Sequence, residues 1–137
     1  MIRVFVADDH DIVREGIRAW VETVPELAWA GCAGDGDALL ERARGDDPWD
    51  ALVLDLSLPG RGGIELLRDV LVLRPNLRVI VFSMYPESEY GAWALASGAR
   101  AYISKSQRLD ALRSALLDER PAAEPAAETK LLPHETL

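Results

Sequence analysis

Five times over, this chain alternates a short apolar run with a longer segment whose apolar residues recur at helical spacing. The short runs cover residues 2–7, 27–33, 51–54, 79–82 and 101–103, and four of them are apolar throughout rather than alternating with polar residues. Between them, residues 11–24 place Val13, Ile17, Trp20, Val21 and Val24 on one helical face. A helix is expected over about 37–44, and another over 64–74, where Ile64, Leu67, Val70 and Leu71 form a stripe that Pro75 stops. An Ala-rich helix over 87–97 and a last one over 107–119, carrying Leu109, Leu112 and Leu116, complete the pattern.

Strands without a polar face must be covered on both sides, which is the situation of parallel strands joined by crossover helices. Right-handed crossovers then predict a flavodoxin-like, doubly wound (βα)5 fold with sheet order 2-1-3-4-5 and ligands at the carboxyl ends of the strands. After Arg120 the chain turns to Pro-Ala-Glu repeats with nothing large to bury. Residues 1–119 are therefore read as one domain and 120–137 as a linker or tail.

A formal net charge of −8, with no basic stretch, argues against nucleic-acid binding by this segment. No run approaches the roughly 20 apolar residues of a membrane span, and the N-terminus lacks a signal-peptide layout. One cysteine precludes an internal disulfide and suits a reducing compartment, so a cytoplasmic location is expected. Cys32 sits in an apolar run and is read as a small core residue.

The polar residues that carry chemistry fall where the strands end: Asp8 and Asp9 after the first, Asp55 after the third, Ser83 after the fourth and Lys105 after the fifth. In a 2-1-3-4-5 sheet those four strands are contiguous, so the side chains converge on one pocket. Three carboxylates together tolerate ionisation only if a cation joins them. Hard oxygen ligands with no His or Cys favour Mg²⁺, which keeps some waters and shares its shell with phosphate. A lysine would hold a phosphoryl oxygen, a serine hydroxyl could donate to another, and a carboxylate can itself be the nucleophile. Together these make a phosphoryl-transfer site.

The same residues, in order and spacing, resemble the response-regulator receiver family over residues 1–119. The acidic pair is Asp8-Asp9 and the phosphoacceptor is Asp55, followed by Pro59 and Gly63. The hydroxyl residue is Ser83, the small-Gly-Ala turn is Ser97-Gly98-Ala99, and Lys105 follows the aromatic Tyr102 by three residues. Asp8-Asp9-His10-Asp11-Ile12-Val13-Arg14-Glu15-Gly16 is further similar to the NarL/FixJ subfamily, whose members usually carry a LuxR-type helix-turn-helix. The resemblance implies that Asp9, Asp55 and the backbone carbonyl of Ser57 bind Mg²⁺, with Asp8 acting through water. It implies that Ser83 and Lys105 bind phosphoryl oxygens and that Tyr102 changes rotamer with Ser83. A sensor histidine kinase would be the donor, and DNA would be bound by a C-terminal domain absent from this segment; dimerisation of the segment is left open. The family's proline after the lysine is Ser106 here, so the resemblance does not fix that peptide's isomer.

Plainer readings stand beside these. Any one of Asp8, Asp9 and Asp11 could cap the first helix, Asp55 could be a turn residue, and Lys105 could be solvated. Gly34-Asp35-Gly36 reads as a turn, His10 is not counted as a ligand, and Trp93 fits docking or packing equally. Two other functions compete with a switch that is not an enzyme. A phosphatase of haloacid-dehalogenase kind needs an Asp where Ser57 stands, and a receiver-like dimerisation module need not keep the site residues that are all present here.

Overall fold

The side-chain alternation of a strand explains why two helical layers are needed. Along β1 (Ile2–Ala7), Val4 and Val6 enter one core while Phe5 and Ala7 enter another. The computed structural model describes residues 1–60, 63–106 and 109–118. Its elements run β1, α1 (Asp11–Thr23), β2 (Leu27–Ala33), α2 (Gly36–Ala43), β3 (Ala51–Leu54), α3 (Gly63–Leu73), β4 (Arg78–Ser83), α4 (Glu87–Ala96), β5 (Ala101–Ser104) and α5 (Leu109–Leu117). The five strands form one parallel sheet in the order β2-β1-β3-β4-β5. The expected topology is the one observed; the expected tail, residues 120–137, lies outside the described residues.

Ile17 and Val21 of α1 with Leu112 and Leu116 of α5 cover Val4, Val6, Val53, Ile80 and Ile103. On the other side Leu39, Leu66, Leu67, Val70 and Ala94, from α2, α3 and α4, cover Phe5, Leu52, Leu54, Val79 and Val81. Burying each large aliphatic side chain contributes about 1.5–3 kcal/mol, so the central strands carry most of the apolar stabilisation.

Cys32 is exposed, contrary to the expected core position. The β1–β2 register slips between Val4 and Phe5, which pair with Trp29 and Gly31, leaving Ala30 as an extra residue. That bulge reverses which side chains of β2 face which layer. Cys32 pairs with Val6 but stands on the edge strand of the sheet, where it is exposed. Gly31 itself has φ +140°, and a Cβ there would lie 3.1 Å from the Phe5 ring.

At the end of the sheet away from the acidic residues, Phe5 and Trp49 stack with centroids 3.9 Å apart. Arg42 lies over Phe5 and Arg74 over Trp49, at 5.0 and 4.1 Å. Arg74 also donates to the carbonyls of Ala43, Asp47 and Gly45, which closes the α2–β3 loop. Asp47 accepts from Trp49 Nε1 at 2.7 Å and from Arg42 at 3.1 Å.

The Trp49 hydrogen bond, with Arg42 beside it, holds the Asp47 carboxyl below its ordinary value of 3.8. A lowered folded-state pKa gives stability that is present above the unfolded value and lost as pH falls through the folded one. Urea melts should therefore show Asp47→Ala less stable than the parent at neutral pH, with the gap closing below the ordinary carboxylate range. A gap independent of pH would remove the ionised carboxylate from this account.

Candidate functional site

The sheet hydrogen bonds run one residue beyond the strands and fix the site's floor. Asp8 N–H donates to the Ala33 carbonyl at 3.1 Å, and Asp55 N–H donates to the Ala7 carbonyl at 2.9 Å. Lys105 N–H donates to the Ser83 carbonyl at 2.7 Å. Asp8, Asp55 and Ser83 are thereby held at adjoining strand ends. They are also the buried polar or charged residues among those described, at 2%, 1% and 0% exposure.

Two carboxylates taken out of water cost several kcal/mol each unless compensated. The compensation is Lys105, whose ammonium donates to Asp8 Oδ2 at 2.6 Å and to Asp55 Oδ2 at 3.2 Å. Burial acts to lower the Lys105 pKa, but the hydrogen bond to Asp8 and the charges of Asp55 and Asp8 outweigh it and raise it above its ordinary value. The lysine is cationic throughout the physiological range. No cis peptide occurs among the described residues, so Lys105–Ser106 is trans, and the lysine still reaches both acids.

The remaining ligand atoms gather around this pair. Donor atoms of Asp8, Asp9, His10 and Asp55 lie within 4.8 Å of one another. Asp9 stands at the solvent-facing edge, and His10 Nδ1 lies 3.1 Å from both Asp8 Oδ1 and Asp9 Oδ1. His10, left out of the sequence-derived ligands, belongs spatially to the acidic group. Its position beside two acids was readable in the sequence, but its ring direction was not. The donor chemistry, three carboxylates of which Asp9 faces solvent, fits a hard divalent cation.

Ser57 reaches Asp55 by an unanticipated route. Its N–H and its hydroxyl donate to Asp55 Oδ1, at 3.0 and 2.8 Å. Both Asp55 oxygens are thus occupied, one by Ser57 and the other by Lys105. None of Asp8, Asp9 or Asp11 is the N-cap of α1; that position is His10, whose N–H is taken by Asp8 Oδ1 at 2.9 Å. Asp35 caps α2 by accepting from Ala38 N–H at 2.7 Å, which agrees with reading Gly34-Asp35-Gly36 as a turn.

Ser83 and Tyr102 are joined through a third residue. Tyr85 N–H donates to Ser83 Oγ at 3.1 Å, and the Tyr102 hydroxyl donates to the Tyr85 carbonyl at 2.8 Å. Tyr102 is buried. Burial raises its hydroxyl pKa above the ordinary value, with the nearby Ser83 side chain acting the other way. The Tyr85 ring packs against Tyr90 of α4 with centroids 5.2 Å apart.

A profile of the response regulator receiver domain matches residues 4–117. DevR/DosR of Mycobacterium tuberculosis, a DNA-binding transcriptional activator, is 38% identical over 105 residues, covering 77% of this chain and 48% of that protein. A LuxR-family two-component response regulator from an Aurantimonas species is 34% identical, with TM-score 0.75 over 92% of this chain and 93% of that one. RcsB of Salmonella enterica serovar Typhimurium, solved on promoter rprA with BeF3⁻, is 29% identical, with TM-score 0.77 over 94% of this chain and 60% of that one. The chain spans about half the length of the curated relatives it matches. No helix among the described residues is long and apolar enough to cross a membrane. With its parallel 2-1-3-4-5 sheet, its acidic pocket of Asp8, Asp9 and Asp55, and a profile match over most of its length, the chain belongs to the response-regulator receiver family, whose members are phosphoacceptor switches rather than enzymes.

Proposed function

We propose that Asp55 accepts a phosphoryl group from a sensor histidine kinase and that the resulting change controls transcription. The observation that carries this reading is the shared lysine. Lys105 is held tightly by Asp8 and more loosely by Asp55, so it can move onto a phosphoryl oxygen while keeping its bond to Asp8. An Asp55 carboxylate oxygen forms the new bond to phosphorus as the P–N bond of phosphohistidine breaks, and the imidazole leaves and is protonated. Ser83 supplies a hydroxyl donor to the incoming oxygens, and Ser57 must release Asp55 Oδ1 if that oxygen is the nucleophile.

Asp9, Asp55 and the Ser57 carbonyl would hold Mg²⁺, with Asp8 acting through water. The cation would neutralise charge on the transferring group.

The added charge, about −1.5 to −2 for a phosphate group, is read out through Ser83. Turning Ser83 toward the phosphoryl group disturbs its bond with Tyr85 N–H, and Tyr85 is tied to Tyr102 on β5 and packed against α4. The face formed by α4, β5 and α5 is therefore the responding surface. Residues 1–119 form the receiver on this reading. Residues 120–137 lead toward a C-terminal helix-turn-helix domain, a reading supported by the greater length of the relatives and by the promoter-bound RcsB neighbour.

Incubation with acetyl phosphate and Mg²⁺ should add one phosphoryl group to the parent protein by mass spectrometry and none to Asp55→Asn. Undiminished incorporation in that variant would place the acceptor elsewhere. Asp9→Ala should keep the fold by circular dichroism and lose metal-dependent phosphorylation; Mg²⁺ binding equal to the parent's would remove Asp9 from the ligand set. NMR shifts on BeF3⁻ binding should include Tyr85, Tyr90 and Tyr102, and shifts confined to α1 and α2 would contradict the route.

A further inference from the structure

Arg14 lies on the second turn of α1, outside the residues that the phosphoryl-transfer reading uses. As an exposed helical arginine it would pair with an acid three residues back, and its guanidinium does bond the Asp11 carboxylate. The fork's other arm goes elsewhere. Arg14 Nη1 donates to the main-chain carbonyl of Asp8 at 2.6 Å, with the side chain only 20% exposed. The Arg14 N–H also donates to the His10 carbonyl at 3.0 Å. One residue thus holds the carbonyls on both sides of Asp9.

A peptide unit is planar, so fixing the Asp8 carbonyl fixes the plane that continues into the nitrogen and Cα of Asp9. Asp8 is otherwise well anchored, its N–H on Ala33 and its carboxylate on Lys105 and His10. Among the described residues no such side-chain hydrogen bond anchors the Asp9 carboxylate, which lies 3.1 Å from the His10 ring, itself more than half exposed. The direction of Asp9 therefore depends on its backbone, and the backbone depends on Arg14.

A second feature points the same way. Gly34, in the β2–α2 connection, has no left-handed φ that would call for glycine. A Cβ added there would stand 3.1 Å from Arg14 Nη1. The guanidinium is held from two sides by Asp8 and Asp11 and has little freedom to give way. Glycine at this position keeps room for the arginine.

We propose that Arg14 is a positioning residue for the cation site, orienting Asp9 through the Asp8 carbonyl, and that Gly34 is the space it needs. The inference rests on the Mg²⁺ reading above. Charge alone predicts the opposite effect, because a guanidinium close to a divalent cation repels it.

The two roles separate in a pair of variants. Gly34→Ala keeps the positive charge and displaces the fork; Arg14→Met removes both. Mg²⁺ affinity is measured by isothermal titration calorimetry, and the melting temperature of each protein is measured in metal-free buffer. Positioning predicts that both variants bind Mg²⁺ more weakly, by about tenfold, the lower end of what loss of an outer-sphere partner costs. Melting in metal-free buffer should stay close to the parent's. Unchanged Mg²⁺ affinity in Gly34→Ala overturns the proposal, as does tighter binding in Arg14→Met. Lowered melting temperatures with parental Mg²⁺ affinity would also overturn it, by making Arg14 a purely structural brace. A parent protein that fails to bind Mg²⁺ would instead overturn the phosphoacceptor reading on which this one stands.

Discussion

Lys105 and Asp8 are separated by 97 residues in sequence and by 2.6 Å in space. The pocket depends on that contact. Asp8 and Asp55 are almost wholly buried side by side, a costly arrangement for two acids unless a cation lies between them. The lysine resolves the conflict locally, and its own elevated pKa comes from the same two acids. Because it is bound unequally, close to Asp8 and farther from Asp55, the arrangement is stable without being closed to further chemistry.

The parallel sheet makes such a contact affordable. Main-chain bonds continue past the strands, from Asp8 to Ala33, Asp55 to Ala7 and Lys105 to Ser83, so the backbones of the site residues are set by the same ladder that holds the core. The layers of apolar side chains on either face fix the strands; the strands fix the acids. Opposite the pocket, the Arg42–Phe5–Trp49–Arg74 stack with Asp47 secures the α2–β3 loop at the other end of β3. Stability is thus invested at one end of the sheet and electrostatic tension at the other.

The path from Ser83 to Tyr102 runs through the main chain of Tyr85. Tyr85 accepts from Tyr102 through its carbonyl and donates to Ser83 through its N–H. One peptide segment therefore lies between Ser83 and β5, and the Tyr85 ring also touches Tyr90 of α4. Met84 and Tyr85 of this segment and Trp93 of α4 are exposed.

The sequence by itself determined the sheet order and the place of the chemistry. Five apolar runs separated by helical segments admit few topologies, and acids, hydroxyl and lysine at strand ends could meet only at one edge of the sheet. Strand-end position follows from hydrophobic period, which a sequence displays directly. The tertiary structure decided what depends on side-chain direction and on small irregularities of register. Cys32 was left exposed on the edge strand, the Ser57 hydroxyl turned back onto Asp55, and the His10 ring joined the acids beside it. Arg14, legible only as a polar helical residue, reached the Asp8 carbonyl because the β1–α1 turn brought that oxygen beneath it. Hydrophobic period is a property of a chain segment; the aim of a polar side chain is settled only when segments distant in sequence have been brought together.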